Sequence, residues 1–578
     1  MTNRVEINFK VQEFATQKSL NFCLNPRCED FGNEGTITYK KLNKNLRGVC
    51  KTCGEEFQKI NTEAVMRFAK QSNGERYLNR LDMERNACRN EQCENFAHPL
   101  GDYPKLYKKN GKNSAGSQKY QCKRCKSNFA IPLHEHQYLK DSESHKNKMI
   151  FGSLIHGLGI RRISYLNEIS PQTVYDKLHF FWEKCVMFNL FYEQKIKALK
   201  KSKLFISTDS IHLTTNWRVR NRVHNKLQSG NILKLTATCD NHSGFCLAQT
   251  VDFDSSVKSK EINDFAVKTD EFNKLQCDRR YPEYIYYREA EDYEKITQTI
   301  PRKLEKQFDA YGIKVSPNYA YIAHFQKLNW LLPNIKRIAS FADNNSLNQT
   351  TVKRVFKARI EQDTFRGYTL SLGYHEKGKN KKEMDREQRA IRNAFEMLCC
   401  KDKKFNQLIS SIEFIEDKQE KLEAEEQLKK LGDKIGVKHV EHLFKELGDV
   451  GEWVSHPNPH KYEPKKEVRC DTHGEFIANT KTVGEEIYYS SNWAVDNYFQ
   501  KLRKLSFFSR AVKRASGATA ADWKIDKSYD PNKLLMMSEI FKTYHNFIAK
   551  GKDGKTPAMR LGLTKKAWSV NEVLYKRY

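Results

Sequence analysis

The sequence predicts a multidomain α/β protein, and three observations lead there. Its 578 residues exceed what one hydrophobic core ordinarily supports, so roughly three to five structural units are expected. Between Cys23 and Cys125 the cysteines fall into two copies of one short-spaced pattern, which suits small units held by metal. From residue 201 onward strand-like runs are followed by helical ones, the order of a mixed sheet covered by helices.

Charge narrows the partner. Lys and Arg number 101 against 71 Asp and Glu, a formal net charge of +30 spread along the chain, which favours nucleic acid first and an anionic membrane second. No apolar run approaches the roughly 18 residues of a spanning helix, and "MTNRVEINFKVQEFATQKSL" has neither a signal-peptide core nor a cleavage site. The expectation is a soluble, intracellular protein with no membrane partner. Eight of the 15 cysteines sit in paired short spacings, which points to metal in a reducing compartment rather than to disulfides.

The first quartet is Cys23, Cys28, Cys50 and Cys53, within residues 1–75; the second is Cys88, Cys93, Cys122 and Cys125, within 76–140. Each has a C-x4-C turn, a basic spacer, then a C-x2-C turn followed by an aromatic. Two such turns complete the tetrahedral sulfur site that Zn²⁺ takes in closed structural positions, the zinc-ribbon pattern, and leave no position open for water. Two structural zinc ions are therefore expected, with iron–sulfur clusters as the open alternative. The other seven cysteines read as ordinary thiols.

Residues 141–200 carry "MIFGSLIHGLGIRRISYLNEISPQTVYDKLHFFWEKC". A first helix ends near Gly157 to Gly159, a second carries Ile163, Leu166 and Ile169, and a third starts with Ser170 as N-cap and Pro171 at its first position. Val174 and Leu178 turn inward, leaving Gln172, Thr173 and Tyr175 where a recognition helix meets base edges, with Arg161 and Arg162 nearby for phosphate. A helix-turn-helix that binds DNA and a plain three-helix packing unit both fit.

Next comes "KLFISTDSIHL", a strand with Asp209 in its middle. An unpaired carboxylate in a buried strand is costly, so it needs a function or a partner. A basic connection follows, with Arg218, Arg220 and Arg222, and then the hairpin "NILKLTATCDNHSGFCLAQTVDFD". Three antiparallel strands with an acid midway along the first, followed by helices, open an RNase H-like α/β domain. Further on, "RIASFA" reads as a strand that ends at Asp343, with a helix behind it. Two acids side by side repel, and a divalent cation relieves them. Phosphodiester chemistry by in-line displacement is served by two Mg²⁺ ions about 4 Å apart, which take oxygen ligands, so a third acid is expected.

"VDNYFQKLR" and, later, "YHNFIAKGKDGKTPAMRLGL" resemble the catalytic helix and C-terminal signature of bacterial insertion-sequence transposases of the DDE class. The resemblance takes in the cysteine quartets, the helix-turn-helix, Asp209 with its hairpin, Asp343, and about ninety residues at the C-terminus. It implies a DNA transposase that binds the terminal inverted repeats of its element, cleaves strands to expose 3′-hydroxyls and joins them to target DNA. By the same resemblance Asp209, Asp343 and Asp496 ligate two Mg²⁺ or Mn²⁺ ions per site, while Arg503 and Lys504 contact DNA. Trp493, one turn before Asp496, is a candidate to stack on a flipped base. The implied setting is the bacterial cytoplasm, in association with the nucleoid. The implied partners are double-stranded transposon-end and target DNA, with a homodimer or higher oligomer in the synaptic complex.

The chain departs from the family in two places. Aspartate stands at 496 where glutamate is usual, and the interval from Asp343 to Asp496 is long. The catalytic domain is therefore expected in two parts, 201–345 and 486–578, interrupted at 346–485 by a mainly helical insertion that shields DNA ends, dimerises, or is a solvated face. Glu376, in "LGYHEKGKN", competes with Asp496 as third ligand; a helix holds a ligand more rigidly than a glycine-rich loop, which favours Asp496. Two other functions remain open: a non-catalytic DNA-binding regulator descended from a transposase, and a metal-dependent nuclease without strand transfer.

Overall fold

The computed structural model describes residues 19–575 apart from 43–44, 73–87, 89, 91, 96–97, 99, 101–102, 113–117, 132–143, 215–231, 287–311, 373–380, 448–450, 460–465, 475–479 and 509–529. Among the described residues no helix is long and apolar enough to cross a membrane.

The two cysteine repeats fold alike. Strands β1 (Ile37–Leu42), β2 (Asn45–Cys50) and β3 (Glu56–Gln58) form one antiparallel meander, followed by helix α1 (Thr62–Ser72); β4 (Tyr107–Lys112), β5 (Gln118–Cys122) and β6 (Asn128–Ile131) form the other. The first unit is fastened to the body. Buried Arg354 donates to the carbonyls of Leu20 and Gln58, both at 2.7 Å, and Lys357 Nζ donates to the carbonyl of Gly32 at 2.8 Å.

Three helices follow: α2 (Asn147–Ile155), α3 (Ile160–Leu166) and α4 (Pro171–Lys197). The Ser170 hydroxyl accepts from the Thr173 amide at 3.0 Å, and Pro171 fills the first position, where its missing N–H is no loss. Ile163, Val174 and Leu178 are buried, as their spacing predicts, but Leu166 is 58% exposed. The reason is the length of α3: its two turns bury Ile163 and pack Ile160 partly against the core, and the helix ends at Leu166. At 27 residues, α4 is about 40 Å long and runs on past the helix-turn-helix into the body, where Phe181, Phe188 and Tyr192 are buried. Gly157 holds φ +82°, and a Cβ there would stand 2.5 Å from the Lys504 carbonyl oxygen, so this turn admits only glycine and packs directly on the chain after residue 502.

The body is a seven-stranded mixed sheet. Its strands and helices run, in chain order, β7 (Lys201–Thr214), β8 (Ile232–Asp240), β9 (Cys246–Val251), β10 (Phe253–Asp254), α5 (Ser259–Lys268), β11 (Ile313–Lys314), α6 (Pro317–Leu331) and β12 (Ile335–Asp343). They continue with α7 (Ser346–Val355), α8 (Lys357–Glu361), β13 (Phe365–Leu372), α9 (Lys381–Cys400), α10 (Lys403–Ile412), α11 (Lys418–Leu447), β14 (Val454–Ser455) and β15 (Lys466–Cys470). The last elements are α12 (Thr480–Tyr488), α13 (Trp493–Leu502), α14 (Pro531–Thr543), a π-helical turn at Tyr544–Ile548, α15 (Pro557–Leu561) and α16 (Val570–Tyr575). The sheet order is β14-β15-β13-β12-β7-β8-β9, with β7, β8 and β9 antiparallel, β12 parallel to β7, and β13 parallel to β12. The pair β10 and β11 stands apart.

The stretch 346–485, expected to be mainly helical, thus contributes β13, β14 and β15 to this sheet. β14 has two residues and β15 reads "KEVRC", too short and too charged to signal a strand beside long helices. The larger core cluster takes in α4, α6 and α14 with the β7–β9 part of the sheet; a smaller one packs Val440, Val483 and Ile487 against Phe341, Tyr368 and Val468. At the outer edge, the Asn546 side chain accepts from the Cys246 amide and donates to its carbonyl, both at 2.9 Å, as a further strand would.

Candidate functional site

Asp209 and Asp343 are brought together by register. β7 and β12 run parallel with Phe341 opposite Ser207 and Ala342 opposite Thr208, so the next step aligns Asp343 with Asp209. Side chains alternate along a strand. Asp209 therefore shares a face with Phe205, and Asp343 with Phe341, and these two rings stack at 6.2 Å. Both carboxylates emerge on that face, at the end of the run of paired residues. Burial, and next the charge of Asp343, push the Asp209 carboxyl up to about 6, against the Ser210 amide and the positive charges of Arg503 and Lys234.

Helix α13 lies across the same face. Ala237 and Gln249 pair in register with Asp209, and Gln249 Oε1 accepts from the Tyr498 hydroxyl at 2.8 Å. At its other end Asn492, the residue preceding the helix, donates from Nδ2 to Asp343 Oδ1 at 2.6 Å. Asp496 follows one turn later, its amide bonded to the Asn492 carbonyl at 3.0 Å, so it continues the helix stripe that touches Asp343. Trp493 is half-buried. Among the described residues, the groups of three or more His, Cys, Asp or Glu whose ligand atoms all lie within 4.8 Å of one another are the two cysteine quartets; the three aspartates are spread more widely than that. Glu376 lies outside the described residues.

Both quartets are gathered. The Sγ–Sγ distances are 3.6 Å for Cys23–Cys53, 4.0 Å for Cys28–Cys50, 3.3 Å for Cys88–Cys125 and 3.9 Å for Cys93–Cys122. A tetrahedral ion with sulfur at about 2.3 Å requires about 3.8 Å between sulfurs, so both quartets are compatible with structural zinc. Burial raises the Cys50 thiol, but the amides of Cys53 and Thr52 outweigh it and bring the group down to about 7. The Ser127 hydroxyl draws Cys125 down to about 6, whereas burial holds Cys88 up at about 12. Backbone donors around the C-x2-C turn thus favour thiolates there. That turn needs a left-handed residue after its second cysteine: Gly54 takes φ +74° in the first unit and Lys126 φ +62° in the second.

Of the residues expected to meet DNA, Arg161, Arg162, Gln172 and Lys504 are exposed, whereas Thr173, Tyr175 and Arg503 are half-buried. Gln172 donates to Asp176 Oδ1 at 3.0 Å, the Thr173 amide is taken by the Ser170 cap, and Lys533 Nζ stands 3.5 Å over the Tyr175 ring. Tyr175 thus packs between α4 and α14. Arg218, Arg220 and Arg222 lie outside the described residues. Asn492, bonded to Asp343, escaped sequence reasoning; its signal is faint, a polar residue four before Asp496. A scan against protein-family models finds no match to this chain, and a search of curated proteins finds none either.

Proposed function

We propose that the chain is a DNA transposase of the DDE class, with Asp209, Asp343 and Asp496 as its acids and an RNase H-like body. The carrying observation is the alignment of Asp209 with Asp343 on neighbouring parallel strands, under a helix that bears a third aspartate and bonds to Asp343 through Asn492. A strand order of three antiparallel strands followed by two parallel ones beside the first supports the RNase H-like reading.

The acids fit a hard cation because they are held where their charges oppose each other, one of them already pushed up by burial and by its neighbour. Asp209 and Asp343 would hold Mg²⁺ or Mn²⁺ between them, with Asp496 completing the oxygen set from the helix. Two such ions supply, when bound, activation of the attacking oxygen and stabilisation of the leaving one. Asn492 keeps one Asp343 oxygen turned toward the helix, and Arg503, near enough to draw Asp209 down, would meet a scissile phosphate. The two cysteine quartets would hold structural zinc, and the exposed basic residues of α3 would contact DNA backbone.

The test is cleavage and joining with the purified chain and duplexes carrying the ends of its element. Metal-dependent nicking that Asp209→Asn abolishes, with transfer of the 3′-hydroxyl to a second duplex, is the expected result. Binding without nicking would leave a regulator, and nicking without joining a nuclease; either overturns the proposal.

A further inference from the structure

Helices α9, α10 and α11 leave the sheet between β13 and β14 and come back to it. Their root is well packed: Phe395 lies 6.4 Å from Tyr488, a Cβ on Gly432 would meet the Phe405 ring at 3.5 Å, and Val440 is buried against the sheet. From Val440 back to Leu422 the helix spans about 27 Å at 1.5 Å per residue, so the beginning of α11 stands well clear of the sheet. There Phe414 is 83% exposed, Leu422 60% and Ile409 39%. Between residues 413 and 426 seven carboxylates face two lysines, and all nine are exposed. In a chain of net charge +30, this is an acidic, apolar tip.

Such a tip repels phosphate. Its chemistry asks for a surface that is basic and carries some apolar area. The second cysteine unit of this chain offers that: Lys105, Lys108, Lys109, Lys112 and Lys123 are exposed, with Tyr103 47% exposed beside them. We infer that the tip formed by Ile409, Phe414 and Leu422, with its ring of carboxylates, docks on the lysine-rich edge strand β4 of the second cysteine unit of another copy of this chain. Apolar side chains supply the hold and the opposite charges the steering and choice of partner. Because each copy carries both surfaces, association by a two-fold axis closes as a dimer. The assignment stands whether or not the aspartates bind cations.

Sedimentation velocity on the zinc-loaded full chain, without DNA or added divalent cation, tests it. Self-association is expected, weakened about tenfold or more by Phe414→Ser with Leu422→Ser and weakened again by raised salt. Both side chains are exposed, so thermal unfolding should match the parent and rule out misfolding. Glu416→Lys with Glu420→Lys should weaken association, as should Lys108→Glu with Lys109→Glu, and mixing the two charge-reversed chains should restore it. A chain that stays monomeric to about 50 μM, weaker than most specific interfaces, overturns the inference. So does association that the Phe414 and Leu422 changes leave intact, or crosslinking of the tip to DNA; failure of mixing to restore binding removes the second cysteine unit as the partner face. Loss of nicking in a variant that still dimerises would instead strike at the reading of the aspartates.

Discussion

Asp209→Asn should make the cation-free protein more stable, and by an amount that depends on pH in a defined way. The carboxyl moves from 3.8 to about 6 in the folded chain, through burial first and the Asp343 charge second. At about 1.4 kcal/mol per unit, the ionised group disfavours the native state by about 3 kcal/mol, an upper bound because solvent still reaches part of the side chain. Since the folded value is the raised one, native stability is undiminished below about pH 4, where both states are protonated. It falls as pH rises from about 4 to 6, while the unfolded chain is already ionised and the native one is not. Above that the loss is complete. Asparagine, isosteric and uncharged, escapes it. Hydrogen exchange of peptides from β7 and β8, corrected for intrinsic rates and measured in EDTA, should show protection about a hundredfold higher in the variant at pH 7 and equal at pH 4. Saturating Mg²⁺ should reverse the order at pH 7, because only the parent keeps the full set of acids. Equal protection at pH 7, or a gain that persists at pH 4, would refute the electrostatic account of this pair.

Asn492→Ala removes a hydrogen bond to a charged acceptor, worth about 1.5–3 kcal/mol, and so should slow metal-dependent nicking about 10- to 100-fold; the acidic limb of the pH–rate profile should move to higher pH as Asp343 loses a donor, whereas a merely structural change would scale the whole profile. Lys126→Gly should stabilise the second cysteine unit by about 1 kcal/mol, because a lysine there occupies the left-handed conformation that Gly54 takes freely in the first; zinc release to a chelator, followed by a colorimetric indicator, should slow accordingly.

Features governed by local rules were legible. Short-spaced cysteines, the Ser170 cap with Pro171, and the hairpin after Asp209 each state their geometry within a few residues, and each is found where the spacing puts it. What depended on distant chain was not. Nothing around Leu166 says that its helix stops after two turns, and nothing around Tyr175 announces Lys533, more than three hundred residues away, above its ring. Strand β15 belongs to the sheet because β13 offers it an edge, and β14 because β15 then offers another, not because "VS" or "KEVRC" insist on it.

The aspartates show the same division within one site. A strand pattern can say that Asp209 lies midway along one strand and Asp343 at the end of another, but not which residues face each other across the pair. One residue of slip between β7 and β12 would send the Asp343 side chain to the opposite face, against α6 instead of α13. The pairing of Phe341 with Ser207 is what prevents it, and the stacked rings of Phe205 and Phe341 give that register an energetic reason, since slipping would bring one ring out from between its neighbours. On this argument, the aromatic pair two and four rungs below the acids positions them as surely as their own backbone does: Phe341→Ala, which opens a cavity costing about 3–5 kcal/mol, acts on the site through loss of register, with no contact to any cation.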